Sequence, residues 1–425
     1  MEKTDVRYSA YVEILREELI PAMGCTEPIA LAYAAAKVRE VLEVVPESIV
    51  LQVSGSIIKN VKSVIVPNTG GLKGMRAAVS AGVIAGDASK ELEVISQVSP
   101  QQLEDMVAYM DLTPIDIRHI EEGHVFDIII TAVKGSSSAS VRISDYHTNI
   151  VLIEKDGRVI LDRRGHSGLE EQRIDRSLLS LEGIWDFANT ADLDDVRELL
   201  DRQIEYNTAI ANEGIRGDYG ANVGKTLLKT QGNDVRVRAK AMAAAGSDAR
   251  MNGCEMPVII NSGSGNQGIT CSVPVVEYAR ELGVEHDKLL RALLLSNLVS
   301  IHEKTGIGTL SAYCGAVTAG SGAGAGIVYL LGGSYEDVCS TVTNALAISS
   351  GIICDGAKAS CAAKIAVSLD SALLGYDLNR CDEEFEAGDG IVMDDVDSTI
   401  SGVGKIGKEG MRGTNDTIIQ LMIEE

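Results

Sequence analysis

Between Thr305 and Tyr335 the chain carries no charged side chain. So apolar a run must be buried, either in a protein core or in a bilayer, which about 20 apolar residues can span. Here Gly315, Gly320, Gly322, Gly324 and Gly326 interrupt it, with Ser and Thr between them. That pattern points to a core helix whose neighbours come close, and no membrane segment is expected. Composition agrees: Gly accounts for 43 of 425 residues and aromatics for only 4%. The core must therefore be Ala, Val, Ile and Leu with backbones near one another.

Two kinds of periodicity divide the chain. From about 48 to 165, SIVLQVSG, SVIVPN, VFDIIITAV, ASVRIS and TNIVLIEKDGRVIL read as strands, several alternating with period two. LKGMRAAVSAGVIAG and SPQQLEDMVAYMDL read as helices between them. From about 175 onward strands nearly vanish and Ala- and Gly-rich helical patterns follow one another. The expected class is α+β. N-terminal helices span 1–47 and pack with the helical part, an α/β layer domain spans 48–170, and an all-α domain spans 171–425.

The net charge of −23 sets up a field that repels nucleic acid and anionic lipid, so neither is an expected partner. The start, MEKTDVRYSAYVEILREELI, reads as a charged amphipathic helix rather than a secretory leader. Eight cysteines without such a leader point to reduced thiols in the cytoplasm.

Two glycine loops mimic nucleotide motifs. GANVGKT (220–226) falls one residue short of a P-loop and follows a helix. GSGNQG (263–268) matches a dinucleotide fingerprint, but Pro274 is expected to interrupt the helix after it, and no βαβ unit surrounds it. The same loop has another use. Asn261, Ser262, Ser264, Asn266 and Gln267, with free backbone N–H groups, suit a carboxylate. VPNTGGLKGMRAA (66–78) reads equally as an anion-holding loop or a tight strand-to-helix turn.

Chemistry concentrates in the cysteines. Cys314, Cys354 and Cys361 surround the glycine-rich run with 39 and six residues between them. Three thiols suggest a soft metal or a cluster with one position left for a substrate. Zinc-ribbon spacing is absent. Cys25 sits just before a helix start, with Thr26 or Glu27 as cap and Pro28 in the first turn, where the helix dipole favours a thiolate. Cys339 and Cys381 read as structural. Cys254 and Cys271 flank the glycine loop. The six histidines form no ligand pair, and His302 stands out for its nearness in sequence to Cys314, with Lys304 beside it.

Taken together, PAMGCTEP, VPNTGGLKGMRAA, INSGSGNQG followed by VPV, IHEKTGIGTLSAYCGA and GIICDGAKASCAAK resemble, in order and over nearly the whole chain, the iron–sulfur L-cysteine desulfidase family. That family is related to the iron–sulfur L-serine dehydratases. The resemblance implies one [4Fe–4S] cluster per subunit on Cys314, Cys354 and Cys361, with the helical part as the cluster-binding catalytic domain. It implies Cys25 as catalytic proton acceptor, a small amino-acid substrate, no pyridoxal phosphate, and a homo-oligomer in the cytoplasm. The expected reaction is α,β-elimination of L-cysteine to pyruvate, hydrogen sulfide and ammonia. L-serine dehydration by the same cluster, or a non-catalytic iron–sulfur protein, are the other readings. The 261–267 loop is expected to orient the substrate, with His302, Lys304 and Arg250 as further contacts. The dehydratases' own catalytic loop motif is replaced here by NSGSGNQG.

Overall fold

The computed structural model describes residues 1–121, 123–164, 174–308 and 310–424. The first part holds α1 (Val6–Glu18), β1 (Pro21–Met23), α2 (Thr26–Leu42), β2 (Ser48–Ser54), α3 (Gly55–Val61), α4 (Gly74–Ala85) and α5 (Pro100–Leu112). Strands β3 (Ile115–Ile120), β4 (Asp127–Lys134), β5 (Ser137–Ser144), β6 (Ile150–Lys155) and β7 (Arg158–Asp162) follow. Then come α6 (Leu181–Thr190), α7 (Arg197–Arg216), α8 (Val223–Gln231), α9 (Val235–Met251), β8 (Pro257–Ile259), α10 (Gly265–Leu282) and α11 (His286–Ile307). The chain ends with α12 (Gly315–Leu330), α13 (Tyr335–Ser349), α14 (Cys361–Asn379), α15 (Val396–Lys405) and α16 (Arg412–Glu424). This is an α+β fold, as the periodicity indicates. The expected 170/171 boundary lies outside the described residues.

One sheet runs β3-β2-β4-β5-β6-β7, with β2 and β3 parallel and the remaining pairs antiparallel. The alternation is that of a half-buried sheet: Ile128, Ile130 and Ala132 of β4 are fully buried, while Ile129 and Thr131 between them are not. Helix α2 covers β4 and β5 and packs on α4. Its ALAYAAA run lets α4 approach so closely that a Cβ at Gly82 would overlap the Ala32 carbonyl. The two N-terminal helices therefore part company. Helix α1 packs on α6 and α11, whereas α2 packs on the sheet side.

In the helical body, the uncharged run forms α12, buried along nearly its whole length. Its glycines serve two neighbours. A Cβ at Gly320 would strike Ser368 of α14, and one at Gly322 would strike the Ser296 carbonyl of α11. Among the described residues no helix is long and apolar enough to cross a membrane. One hydrophobic cluster fills the space under the sheet and reaches the starts of α12 and α14, while a second fills the helical body.

Three local readings are corrected. SVIVPN forms no strand; only the bridge Ile65–Lys73 remains of it, closing a tight turn before α4. IDIRHI, not read as a strand, is edge strand β3. Pro274 does not break α10, which runs from Gly265 to Leu282. A proline removes one N–H donor, but packing against α7, α9, α11 and α12 holds the helix through it.

Candidate active site

Two small pairings assemble a site from distant segments. Strand β1 pairs antiparallel with β8, Pro21 opposite Ile259 and Met23 opposite Pro257. This sets Cys25 beside the 261–267 loop. The second pairing joins Tyr313 to Ile353. Cys314 N–H donates to Ile352 O at 3.1 Å and Cys354 N–H to Ala312 O at 2.6 Å, which draws the two cysteine segments together.

Between the pairings lies a cavity of about 110 Å³, lined by Cys25, Cys314, Cys354 and Cys361 together. Ser262, Ser264, Asn266, Gln267, Arg250 and Lys304 also line it, with Thr26, Glu27, Asn60 and His147. The N-termini of α2, α10, α12 and α14 meet around it. Their caps, Cys25, Ser264, Cys314 and Ser360, make no side-chain capping bond. Uncapped N-termini present positive dipole ends and free N–H groups, which suits thiolates and a carboxylate.

Cys25 caps α2 itself. Its Sγ donates to Glu27 Oε2 at 3.0 Å, and Glu27 Oε1 accepts from Asn60 Nδ2 at 3.1 Å. Burial pushes the Cys25 thiol well up, and the Glu27 charge adds to this. The expected thiolate is thus a thiol in this arrangement: burial and a neighbouring carboxylate outweigh the helix dipole and Arg250. Burial alone would also raise the Glu27 carboxyl, but the His147 ring and the Cys25 thiol reverse that and hold it low. His147 Nε2 stands 4.0 Å from Glu27 Oε1, near enough for its charge to act on the carboxylate but too far for a hydrogen bond, and has no hydrogen-bond partner among the described residues.

On the opposite wall, burial raises the Cys314 and Cys361 thiols, and the charge of Cys354 raises both further. Among the described residues no three His, Cys, Asp or Glu side chains stand close enough to share a single metal ion. A cluster makes a different demand, because each thiolate binds its own iron. Three soft donors on one wall, two of them at helix N-termini, fit a cluster rather than a lone ion. Lys59 Nζ donates to the carbonyls of Ser311 at 3.3 Å and Cys354 at 3.2 Å and so fixes the loop that carries them.

The other expected contacts divide. Ser262, with φ of +50°, and Gly263, at +76°, bend the loop through two left-handed residues in a row. Gln267 accepts from Thr318 Oγ1 at 3.2 Å. Arg250 Nη1 reaches Asn266 Oδ1 at 3.2 Å, and its Nε is buried without a partner among the described residues. Lys304 donates to Gly308 O at 2.6 Å, and burial lowers its ammonium to about 8. Asn261 does not line the cavity: its Nδ2 donates to Asn297 Oδ1 at 3.0 Å and its Oδ1 accepts from Ser262, so it shapes the loop from behind. Nor does His302, whose Nε2 lies 2.7 Å from Asp397 Oδ1; its face of α11 turns toward α15. Glu27, Asn60 and His147 are among the lining residues that sequence reasoning missed. Only Glu27 had a signal, two residues from Cys25, and it was read as a cap.

A larger cavity of about 830 Å³ adjoins this one and shares Ser262, Gly263, Lys304 and His147 with it. It lies between the sheet edge and the helical body, with the four shared residues standing between the two cavities.

A profile described as serine dehydratase alpha chain matches residues 89–420. That range contains every residue named above as lining the inner cavity except Cys25, Thr26, Glu27 and Asn60. A UPF0597 protein of Desulfitobacterium hafniense is 55% identical over 425 residues, covering 100% of this chain and 99% of the relative. A UPF0597 protein of Lachnoclostridium phytofermentans is 50% identical, covering 98% and 100%. A third, of Treponema denticola, is 47% identical, covering 99% of each. The chain belongs to the serine dehydratase alpha chain family.

Proposed function

We propose that the protein is an iron–sulfur lyase that removes the β-substituent of a small L-amino acid, with L-cysteine as substrate. The observation that carries the reading is the meeting, in one buried cavity, of three thiols on one wall and a fourth, hydrogen-bonded to a carboxylate, on the other. Cys314, Cys354 and Cys361 would hold a [4Fe–4S] cluster. When bound, an iron with an open position supplies a Lewis acid for the substrate carboxylate and the departing sulfur.

The chain's own residues do the rest. The N-termini of α10 and α12, with Arg250, bind and orient the carboxylate. Burial excludes water and strengthens each of these interactions. Cys25 becomes the base by giving its proton to Glu27, an uphill transfer against the shifts of both groups that Arg250 and the positive N-terminus of α2 offset in part. It takes the Cα proton, the C–H electron pair forms the Cα=Cβ bond, and the Cβ–S pair leaves as HS⁻. The aminoacrylate then tautomerises and hydrolyses to pyruvate and ammonia.

L-serine is the second reading, favoured by the description of the matching family. Hydroxide is the poorer leaving group, so the two differ at one step. The test is pyruvate formation from each amino acid by anaerobically reconstituted protein, with sulfide measured alongside. Equimolar sulfide and pyruvate from L-cysteine, at higher kcat/KM than pyruvate from L-serine, is the expected result. The reverse order would make the protein a serine dehydratase, and no pyruvate from either would remove the lyase reading.

A further inference from the structure

Each elimination leaves the former Cα proton on Cys25, a side chain only 3% exposed. That proton must leave before the next turnover. From Cys25 Sγ the path starts at Glu27 Oε2, 3.0 Å away. The other oxygen of the same carboxylate faces His147 Nε2 at 4.0 Å. His147 is 8% exposed, and its Nε2 has no hydrogen-bond partner among the described residues. A buried imidazole nitrogen without a partner is costly to maintain. This one is aimed at a carboxylate, and His147 lines both the inner cavity and the outer one.

The sheet holds the histidine there. It lies in the short loop between β5 and β6, where Asp145 takes φ of +69° and Asn149 Nδ2 donates back to Ser144 O at 2.9 Å. Phe126 packs edge-on against the ring, with centroids 4.8 Å apart. The gap to Glu27 exceeds a hydrogen bond by about 1 Å, within reach of a small rotation of the ring. Lys304 also lines both cavities, but its Nζ is tied to Gly308 O at 2.6 Å.

We propose that His147, acting through Glu27, carries the substrate-derived proton from Cys25 to the outer cavity. The proton that Glu27 took from Cys25 passes to His147 Nε2 and is released outward, and the carboxylate so freed takes the substrate-derived proton from the Cys25 sulfur for the next turnover. Only S–H, O–H and N–H bonds form and break, and no oxidant or reductant enters. Histidine is the side chain that takes up and releases protons near neutral pH. The proposal rests on Cys25 as the base. It makes His147 a positioning and relay residue, not one that touches the substrate.

The test compares reconstituted wild-type protein with His147→Gln, His147→Ala, Glu27→Gln and Cys25→Ser. Both His147 variants are expected to lose about a hundredfold in kcat, with KM within about twofold, the size of a lost proton transfer. Added imidazole should restore His147→Ala but not Glu27→Gln. Independently of turnover, the ring nitrogen signals of His147 in the full-length ¹⁵N-histidine protein should move in Glu27→Gln, which reads the coupling even if a His147 variant fails to fold. An unchanged kcat in His147→Gln with Cys25→Ser inactive would overturn the relay alone. A change in KM without imidazole rescue, or ring signals indifferent to Glu27, would overturn it too. An active Cys25→Ser would remove the base, and the relay with it.

Discussion

The two walls of the inner cavity surround the same side chain with opposite neighbours. On the sheet side Cys25 faces Glu27, with Asn60 and His147 behind it. On the helical side Cys314, Cys354 and Cys361 face one another, and Lys59 and Lys364 hold the carbonyls of Cys354 and Ile353. Burial raises Cys25, Cys314 and Cys361 alike. What differs is the next neighbour: a carboxylate for Cys25, another cysteine for the other two. A thiol hydrogen-bonded to a carboxylate can exchange a proton. Thiols that repel one another's charge hold an unmet demand that a cationic centre would satisfy. On the proposed reading, acid–base chemistry and metal binding fall to different walls of one cavity.

If the walls divide the work in this way, substitutions should separate them. The largest effect is expected from Cys25→Ser, which should cost at least about a thousandfold in pyruvate formation while leaving the iron content and brown absorbance unchanged. Loss of the chromophore would put Cys25 among the ligands and erase the distinction. Glu27→Gln should cost about a hundredfold in kcat and has a signed consequence for Cys25. Removing the carboxylate charge lowers the thiol's pKa, so alkylation of Cys25 by iodoacetamide, followed by peptide mass spectrometry, should begin at lower pH than in the wild type. An onset that stays put or moves up would mean the pair is not coupled. The smallest effect concerns the seat of the sheet-side wall. Gly82→Ala forces α4 away from Ala32 of α2 and should destabilise the fold by about 1–3 kcal/mol, read from denaturant midpoints, with a raised KM rather than lost iron.

Much of this was legible in the chain. The switch from period two to helical spacing separates the sheet from the helical body. The glycine-broken uncharged run reads correctly as the buried helix α12. The cysteines around it do lie on one wall of a cavity. What stayed hidden is long-range or very short. Strands β1 and β8 have three residues each, too few for periodicity, yet they bring Cys25 to the 261–267 loop. The Tyr313–Ile353 bridge is a single pair. His147 is one histidine in a loop, with no pattern to mark it until the fold turns it toward Glu27. Asn261 and His302 were overread for a related reason. Motif membership and nearness to Cys314 say nothing about which way a side chain faces, and both turn to partners behind the cavity wall.

The division of labour is tested most directly by anaerobic iron and acid-labile sulfide analysis of the reconstituted wild type beside Cys314→Ala, Cys354→Ala and Cys361→Ala. About four irons and four sulfides per chain are expected in the wild type, with a large loss in each of the three variants. A wild type that takes up no iron, or any one variant that keeps its full complement, would contradict it.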